Sequence, residues 1–321
     1  MPELYRLGSS ETTQLFLTTI GGGVVIYILL QFLNWLFSVW ASPRLAIYRH
    51  FGDHETWALV TGANDGLGKA FSEELLRRGH NVLLHGRNEE KLQRVKKELL
   101  ERWPKRMVDI VVADASKTDK AYENIAEKAK SLPGQLTILI NNVGGQTTFP
   151  RYSPLADSRH EDLDISINLN SRFPTHLTAA LLPLLKANSP SLIINSGSTA
   201  GVMPVPYIAT YSATKAYIHA LSVALKFEMK SQGTPDIEVM GFMIGNTRTT
   251  GNPHDMPFFT LEARECASSC LDRVGKGGTV VWSHWKHALQ YNITNMIPAR
   301  IIEPMLLANL RERLESERKG M

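Results

Sequence analysis

The chain opens on a long apolar run and then changes rhythm. From Leu15 to Trp40 it reads LFLTTIGGGVVIYILLQFLNWLFSVW, without a charged residue. About 20 residues suffice to cross a hydrocarbon core of about 30 Å, so the run predicts one transmembrane helix. A cleaved signal peptide fits less well, because the run is too long and Glu3 and Glu11 stand where positive charge is expected. Beyond it, short apolar runs alternate with amphipathic stretches. WALV (57–60), NVLLH (81–85), VDIVVA (108–113), LTILIN (136–141), SLIIN (191–195), IEVMGF (237–242) and GTVVW (278–282) predict seven strands. They are apolar throughout, as in strands whose two faces are both covered by helices. SEELLRRG and EEKLQRVKKELLERW carry helical spacing between them. This alternation predicts an α/β fold with a doubly wound parallel sheet.

The same pattern divides the chain. It gives an N-terminal segment (1–14), a transmembrane anchor (15–40), a linker (41–54), one α/β domain (55–285) and an amphipathic tail (286–321). The tail mixes aromatic, apolar and basic residues, and three placements stay open: on a membrane, over a substrate site, or against a partner subunit. Arg44, Arg49 and His50 follow the anchor, whereas only Arg6 precedes it. The excess of positive charge puts the C-terminal side in the cytosol.

Charge and cysteine content narrow the function classes. The net charge is +4, and Lys and Arg are dispersed among Asp and Glu, which argues against nucleic-acid binding. Two cysteines, Cys266 and Cys270, lie four apart on a predicted helix. They make neither a disulfide framework nor a metal site, and reduced thiols suit a domain facing the cytosol.

Chemistry concentrates where strands end. The first strand runs into TGANDGLGKAF (61–71). Gly62, Gly66 and Gly68, with Asn64 and Leu67 between them, suit a tight turn that brings backbone N–H groups and a helix N-terminus to a pyrophosphate. This makes the domain Rossmann-type. The second strand ends LLHGRNEEKL, where an acid would select the 2′-hydroxyl of NAD(H). Arg87 stands there instead, which favours the 2′-phosphate of NADP(H); the plain alternative is a solvated residue at a helix start. Asp114 is either a partner for the adenine amino group or a cap. NNVGG (141–145) supplies Asn142 and a close-approach glycine, Gly144. NSGSTAG supplies Ser198, thirteen residues before Tyr211 of YSATK. Tyr211 and Lys215 fall on one helix face, where an ammonium would ease ionisation of a phenol.

Glycine turn, NNVG, helical Asn, strand-end Ser and Tyr-x-x-x-Lys, in this order, resemble the short-chain dehydrogenase/reductase superfamily over roughly residues 55–250. The resemblance implies that Tyr211 is the catalytic acid or base and that Ser198 steadies a substrate carbonyl. It implies that Lys215 binds the nicotinamide ribose and lowers the tyrosine pKa. Asn170 takes the fourth catalytic position, with Asn168 as the competing assignment. One departure is FMIGNTRTTG, where Ile244 replaces a common proline; Gly245 remains, and Thr247 or Thr249 makes the cofactor contact. The loop 145–164, with Arg151 and His160, is expected at the substrate entrance, His160 as a surface residue.

The N-terminal span, NNVG and the WSHWKHALQYNITNMIP tail resemble the microsomal branch of very-long-chain 3-oxoacyl-CoA reductases and 17β-hydroxysteroid dehydrogenases. That implies NADPH-dependent reduction of a lipophilic ketone at the endoplasmic reticulum membrane, catalytic domain towards the cytosol, and allows a homodimer. Two alternatives remain: the same chemistry on a polyketide or terpenoid ketone, and a non-catalytic NADP(H)-binding scaffold. The sequon Asn292-Ile293-Thr294 would go unused in the cytosol.

Overall fold

A computed structural model describes residues 2–40, 44–49, 55–117, 120–146, 150–233, 236–252 and 258–319. The chain forms two compact units, Met1–Pro43 and Arg44–Met321. The first is one helix, α1 (Pro2–Trp40). Within it Glu11–Leu30 has a mean hydropathy of 1.8 and is long and apolar enough to cross a membrane. Its large side chains face outward, Leu15 at 69% exposure and Ile28 at 59%.

The second unit carries β1 (Thr56–Thr61), α2 (Gly66–Arg77), β2 (Asn81–Gly86), α3 (Glu89–Arg102), β3 (Val108–Val112), α4 (Ala121–Lys130) and β4 (Gln135–Asn141). Then follow α5 (His160–Ile167), α6 (Phe173–Ala187), β5 (Ser191–Ser196), α7 (Ala209–Ser231), β6 (Ile237–Met243), β7 (Thr247–Arg248), β8 (Leu261–Glu262), α8 (Ala263–Asp272), β9 (Val280–Trp282), α9 (Trp285–Met296) and α10 (Ala299–Lys319). Seven strands pair in parallel in the order β3-β2-β1-β4-β5-β6-β9. All seven strands expected from the apolar runs are present. The pair β7–β8 is a separate parallel ribbon too short to leave a periodic signal.

Successive residues of each strand serve opposite cores, which explains why the strands show no polar alternation. Val60, Leu84, Ile140, Ile194 and Phe242 join one core, and Leu59, Leu83, Leu139, Ile193 and Val239 the other. Helix α3 shows how a face is selected: Asn88 caps it by accepting from the Lys91 N–H (2.8 Å), and Leu92, Val95 and Leu99 point inward. The C-terminal strand ends are tied by a buried polar chain. Asn141 Nδ2 donates to Thr178 (2.8 Å) and to Asn195 Oδ1 (2.9 Å), and Asn195 Nδ2 donates to Ser222 (2.9 Å). Strand order reverses between β1 and β4, and an open sheet has its crevice at that switch.

Two segments outside the expected α/β domain pack onto it. The linker 41–54 contributes a 3-10 turn, Leu45–Arg49, whose Leu45 and Tyr48 are buried. Tyr48 donates to Glu238 on β6, and its carbonyl accepts from Thr137 at 2.8 Å. Residues 41–43 and 50–54, including His50, lie outside the described residues. The tail is partly packed against the catalytic unit. His287 of α9 is fully buried, Leu310 and Leu314 of α10 are 8% exposed, and Arg313 donates to the Tyr152 hydroxyl at 3.2 Å. An apolar set, Leu289, Ile293, Met296, Ile301 and Met305, remains exposed on these two helices.

Candidate active site

The C-terminal strand ends open into a crevice of about 740 Å³. Every residue expected to hold a cofactor borders it. Gly62, Asn64, Gly66, Leu67 and Gly68 come from the β1–α2 turn, Arg87 and Asp114 from the ends of β2 and β3, Asn142 and Gly144 from the end of β4. Tyr211, Lys215 and Thr247 complete the set. Thr247 is 6% exposed, and Thr249 borders the crevice too, its side chain against Gly66. Both threonines therefore remain candidates.

The glycine turn is shaped by close approach. Gly62 and Gly66 sit at φ +67° and +52°, where a side chain strains the backbone. A Cβ on Gly68 would overlap the Gly62 carbonyl oxygen and come within 2.7 Å of Asn142 Nδ2. Thr61 Oγ1 accepts from the N–H groups of Asn142 (2.9 Å) and Val143 (3.0 Å), and Asn142 Nδ2 donates to the Thr61 carbonyl (3.0 Å). The Asn142 amide thus holds the turn in place while bordering the crevice. Asp65, unremarked in the sequence, caps α2 by accepting from the Gly66 N–H at 2.6 Å.

At the other end Arg87 is exposed. Lys91, which the sequence reasoning passed over, lines the same wall one turn later. Asp114 accepts from the N–H (3.0 Å) and hydroxyl (2.7 Å) of Ser116, so its capping role is in a turn and not at α4. Burial pushes its pKa up, but the Ser116 hydrogen bonds and the Arg87 charge outweigh it and hold the carboxyl below its ordinary value. His85, also missed, donates from Nε2 to the Ala113 carbonyl at 3.2 Å and stacks on Phe173.

Of the four residues expected to do chemistry, Tyr211 and Lys215 border the crevice, with Ser198 and Asn170 next to them. The Ser198 hydroxyl neighbours that of Tyr211 and acts to lower its pKa. Ser198 also caps a 3-10 turn, accepting from the Ala200 N–H at 3.1 Å. Lys215 is 5% exposed; its Nζ donates to the Ser196 carbonyl at 2.9 Å and lies 5.6 Å from the Tyr211 ring centroid. Asn170 takes its place through a π-helical turn, Asn168–Arg172. Its Oδ1 accepts from the Gly145 N–H (2.9 Å), and its Nδ2 donates to the carbonyls of Gly145 (3.0 Å) and Ser166 (3.0 Å). A Cβ on Gly144 would lie 2.6 Å from that Oδ1 and 3.2 Å from Lys215 Nζ. The amide that meets Gly144 and Gly145 is therefore that of Asn170.

Electrostatics depart from the expectation. Burial raises the Tyr211 pKa, opposed only by the Ser198 hydrogen bond. Burial also lowers Lys215 from 10.5 to about 8. Desolvation disfavours both charged forms, so the phenol stays protonated. His219, one turn beyond Lys215, is buried beneath the Ser198 loop. A Cβ on Gly197 would overlap its Nε2, so the glycine leaves room for the ring. Its position at i+4 from Lys215 was the available signal. His160 is exposed, as expected.

The model of the short chain dehydrogenase family matches residues 56–256. The very-long-chain 3-oxoacyl-CoA reductase of Neurospora crassa is 38% identical over 247 residues, 75% of this chain and 73% of that one. Hydroxysteroid dehydrogenase-like protein 1 of Gallus gallus is 33% identical over 269 residues, 80% of this chain and 77% of that one. A solved structure of a short-chain dehydrogenase from Sphingobium yanoikuyae in complex with NADPH superposes with a TM-score of 0.63 at 25% identity, covering 82% of this chain and 95% of that one. The matched segment holds the glycine turn, the β4 loop and the Ser198, Tyr211 and Lys215 cluster, and the chain belongs to the short-chain dehydrogenase family.

Proposed function

We propose that this protein is a membrane-anchored reductase that uses NADPH to reduce the ketone of a lipophilic, fatty-acyl or steroid-type substrate. The observation that carries it is Tyr211 and a buried Lys215 together on the wall of a glycine-lined crevice, with the Ser198 hydroxyl next to the phenol.

The crevice fits a dinucleotide. The glycines at positive φ and the Gly68–Gly62 contact leave a cradle that any Cβ would fill. The first turn of α2 offers N–H groups to a pyrophosphate, and Asp114 suits an adenine amino group. Arg87 and Lys91 stand where a 2′-phosphate would be held, which supports NADP(H). When bound, the cofactor supplies a hydride.

The chain's own residues manage the charge that develops on the carbonyl oxygen. Tyr211, kept protonated by burial, donates its proton to that oxygen, and Ser198 donates a hydrogen bond to it. Lys215, fixed by the Ser196 carbonyl, favours the phenolate left behind and would hold the nicotinamide ribose of a bound cofactor. Asn170 holds the β4 loop and stands beside Lys215 as the fourth member.

The relatives named as very-long-chain 3-oxoacyl-CoA reductase and hydroxysteroid dehydrogenase-like protein support a lipophilic ketone. An apolar helix able to cross a bilayer would hold the enzyme where such a substrate dissolves. Arg44 and Arg49 after the helix support a cytosolic catalytic unit at the endoplasmic reticulum. The test is NADPH oxidation across a panel of acyl-CoA, steroid and polyketide ketones. Tyr211→Phe should lose about 10²–10⁴-fold in kcat, as when a general acid is removed, yet still bind NADPH. Unchanged turnover would refute the assignment, and turnover confined to polyketides would move the substrate class.

A further inference from the structure

We propose that His287, on a helix outside the segment matched by the family, is a positioning residue that locks the loop after β6 against the dinucleotide crevice. The inference rests on the NADP(H) reading and extends it to the C-terminal part of the chain.

The loop Ile244–Arg248 leaves the edge of the sheet where the crevice opens, and Ile244, Gly245 and Thr247 border it. Ile244 has no ring to fix its φ, so the shape of this turn depends on its hydrogen bonds. His287 supplies them from both ring nitrogens. Nδ1 accepts from the Gly245 N–H at 3.1 Å, and Nε2 donates to the Asn246 carbonyl at 3.2 Å. The Gly245 N–H requires a lone pair on Nδ1, which assigns the proton to Nε2. One imidazole therefore brackets two successive residues of the loop.

The fit is close. A Cβ on Gly245 would come within 2.5 Å of the imidazole Cδ2 and 2.6 Å of Cγ, so the ring lies directly against the glycine. His287 is fully buried. The Ser283 hydroxyl lies 2.7 Å from Nδ1 and 3.2 Å from the Met243 carbonyl, joining the ring to the end of β6. Burial pulls the His287 pKa down to about 4, so the ring stays neutral and keeps its acceptor. On the far side, Asn246 Nδ2 donates to Thr260 at 2.6 Å and Asn252 Nδ2 donates to Asn246 Oδ1 at 2.6 Å. The lock thus extends through β7 to Thr249, whose side chain would be 3.1 Å from a Cβ on Gly66. Fixing residues 245–246 sets where Thr247 and Thr249 meet the cofactor.

The test uses the full-length protein and two readouts. Deuterium exchange without cofactor should speed up in residues 244–252 of His287→Phe by about tenfold or more, as expected for two lost hydrogen bonds, while β4 and β5 keep their rates. NADPH and NADH affinity should fall by the same factor, because the loop faces parts that both dinucleotides share. Arg87→Ala should weaken NADPH far more than NADH. His287→Gln, which keeps a donor and an acceptor, should restore most of both effects. If the phenylalanine prevents folding, His287→Met replaces it under the same criteria. Unchanged loop exchange, or acceleration spread through β4 and β5, would overturn the proposal. A wild-type protein that binds neither dinucleotide would instead defeat the NADP(H) reading, with the exchange rates still judging the lock.

Discussion

Tyr211 and Lys215 share one face of α7, and burial acts on them in opposite directions. The lysine pKa falls to about 8, the tyrosine pKa rises, and a phenol that must give up a proton is left holding it at neutral pH. The ammonium is needed to favour the phenolate, so kcat/KM for NADPH should decline above about pH 8 as Lys215 loses its charge. A pH–rate profile flat to pH 10 would contradict this role. Stability moves the other way. Between about 8 and the ordinary value of 10.5 the unfolded lysine still holds a proton that the folded one has released, so folding gains stability as pH rises through that window. The pair itself was legible from its spacing. The direction of the tyrosine shift was not, because it depends on how much protein surrounds the hydroxyl, and sequence spacing carries no measure of that. Lys91 and His85 escaped for a related reason, since each becomes part of the crevice only when the ends of β2 and β3 lie side by side.

Elements were read most securely where one physical requirement repeats. Strands covered on both faces need apolar side chains on both, a mark that the fully buried β1 and β5 carry most clearly. The glycine turn was legible because α2 approaches β1 so closely that backbone takes the place of side chains. Gly68→Ala puts a methyl against the Gly62 carbonyl and 2.7 Å from Asn142 Nδ2, and backbone cannot swing aside as a flexible side chain can. The variant should lose about 1–3 kcal/mol of stability. Its NADPH affinity should fall further than that of Gly21→Ala, where a Cβ meets nothing within 4 Å. Equal affinities in the two variants, measured by titration, would show that the turn does not depend on close approach. The π-helical turn at Asn168–Arg172 left no such mark. Asn170 binds the Ser166 carbonyl with its side chain, the carbonyl an α-helical N–H would have used. A side-chain bond of this kind is invisible in helical periodicity. For the same reason the tail could be recognised as amphipathic while its buried partner, the loop at Gly245, could not.

At the scale of the whole molecule, the chain has two kinds of apolar surface. The interior of the catalytic unit is covered from both sides of its sheet, whereas the large apolar side chains described in α1 are exposed. A surface of this kind is stable only in a non-aqueous medium or against another partner, and Glu11–Leu30 has the length for a bilayer. Placing lysines at Val25 and Ile28 should cost roughly 5–7 kcal/mol of insertion free energy in total, enough to reverse a marginal span. The wild-type protein should stay with membranes through alkaline carbonate extraction, and the Val25→Lys, Ile28→Lys double variant should move to the supernatant with its NADPH binding intact. Retained binding is part of the expectation because α1 and the catalytic residues belong to separate compact units. Should the double variant remain in the pellet, the anchor is not α1 alone. The exposed Leu289, Ile293, Met296, Ile301 and Met305 of α9 and α10 would then be the apolar surface to test, since an exposed apolar set carries the same physical requirement for cover.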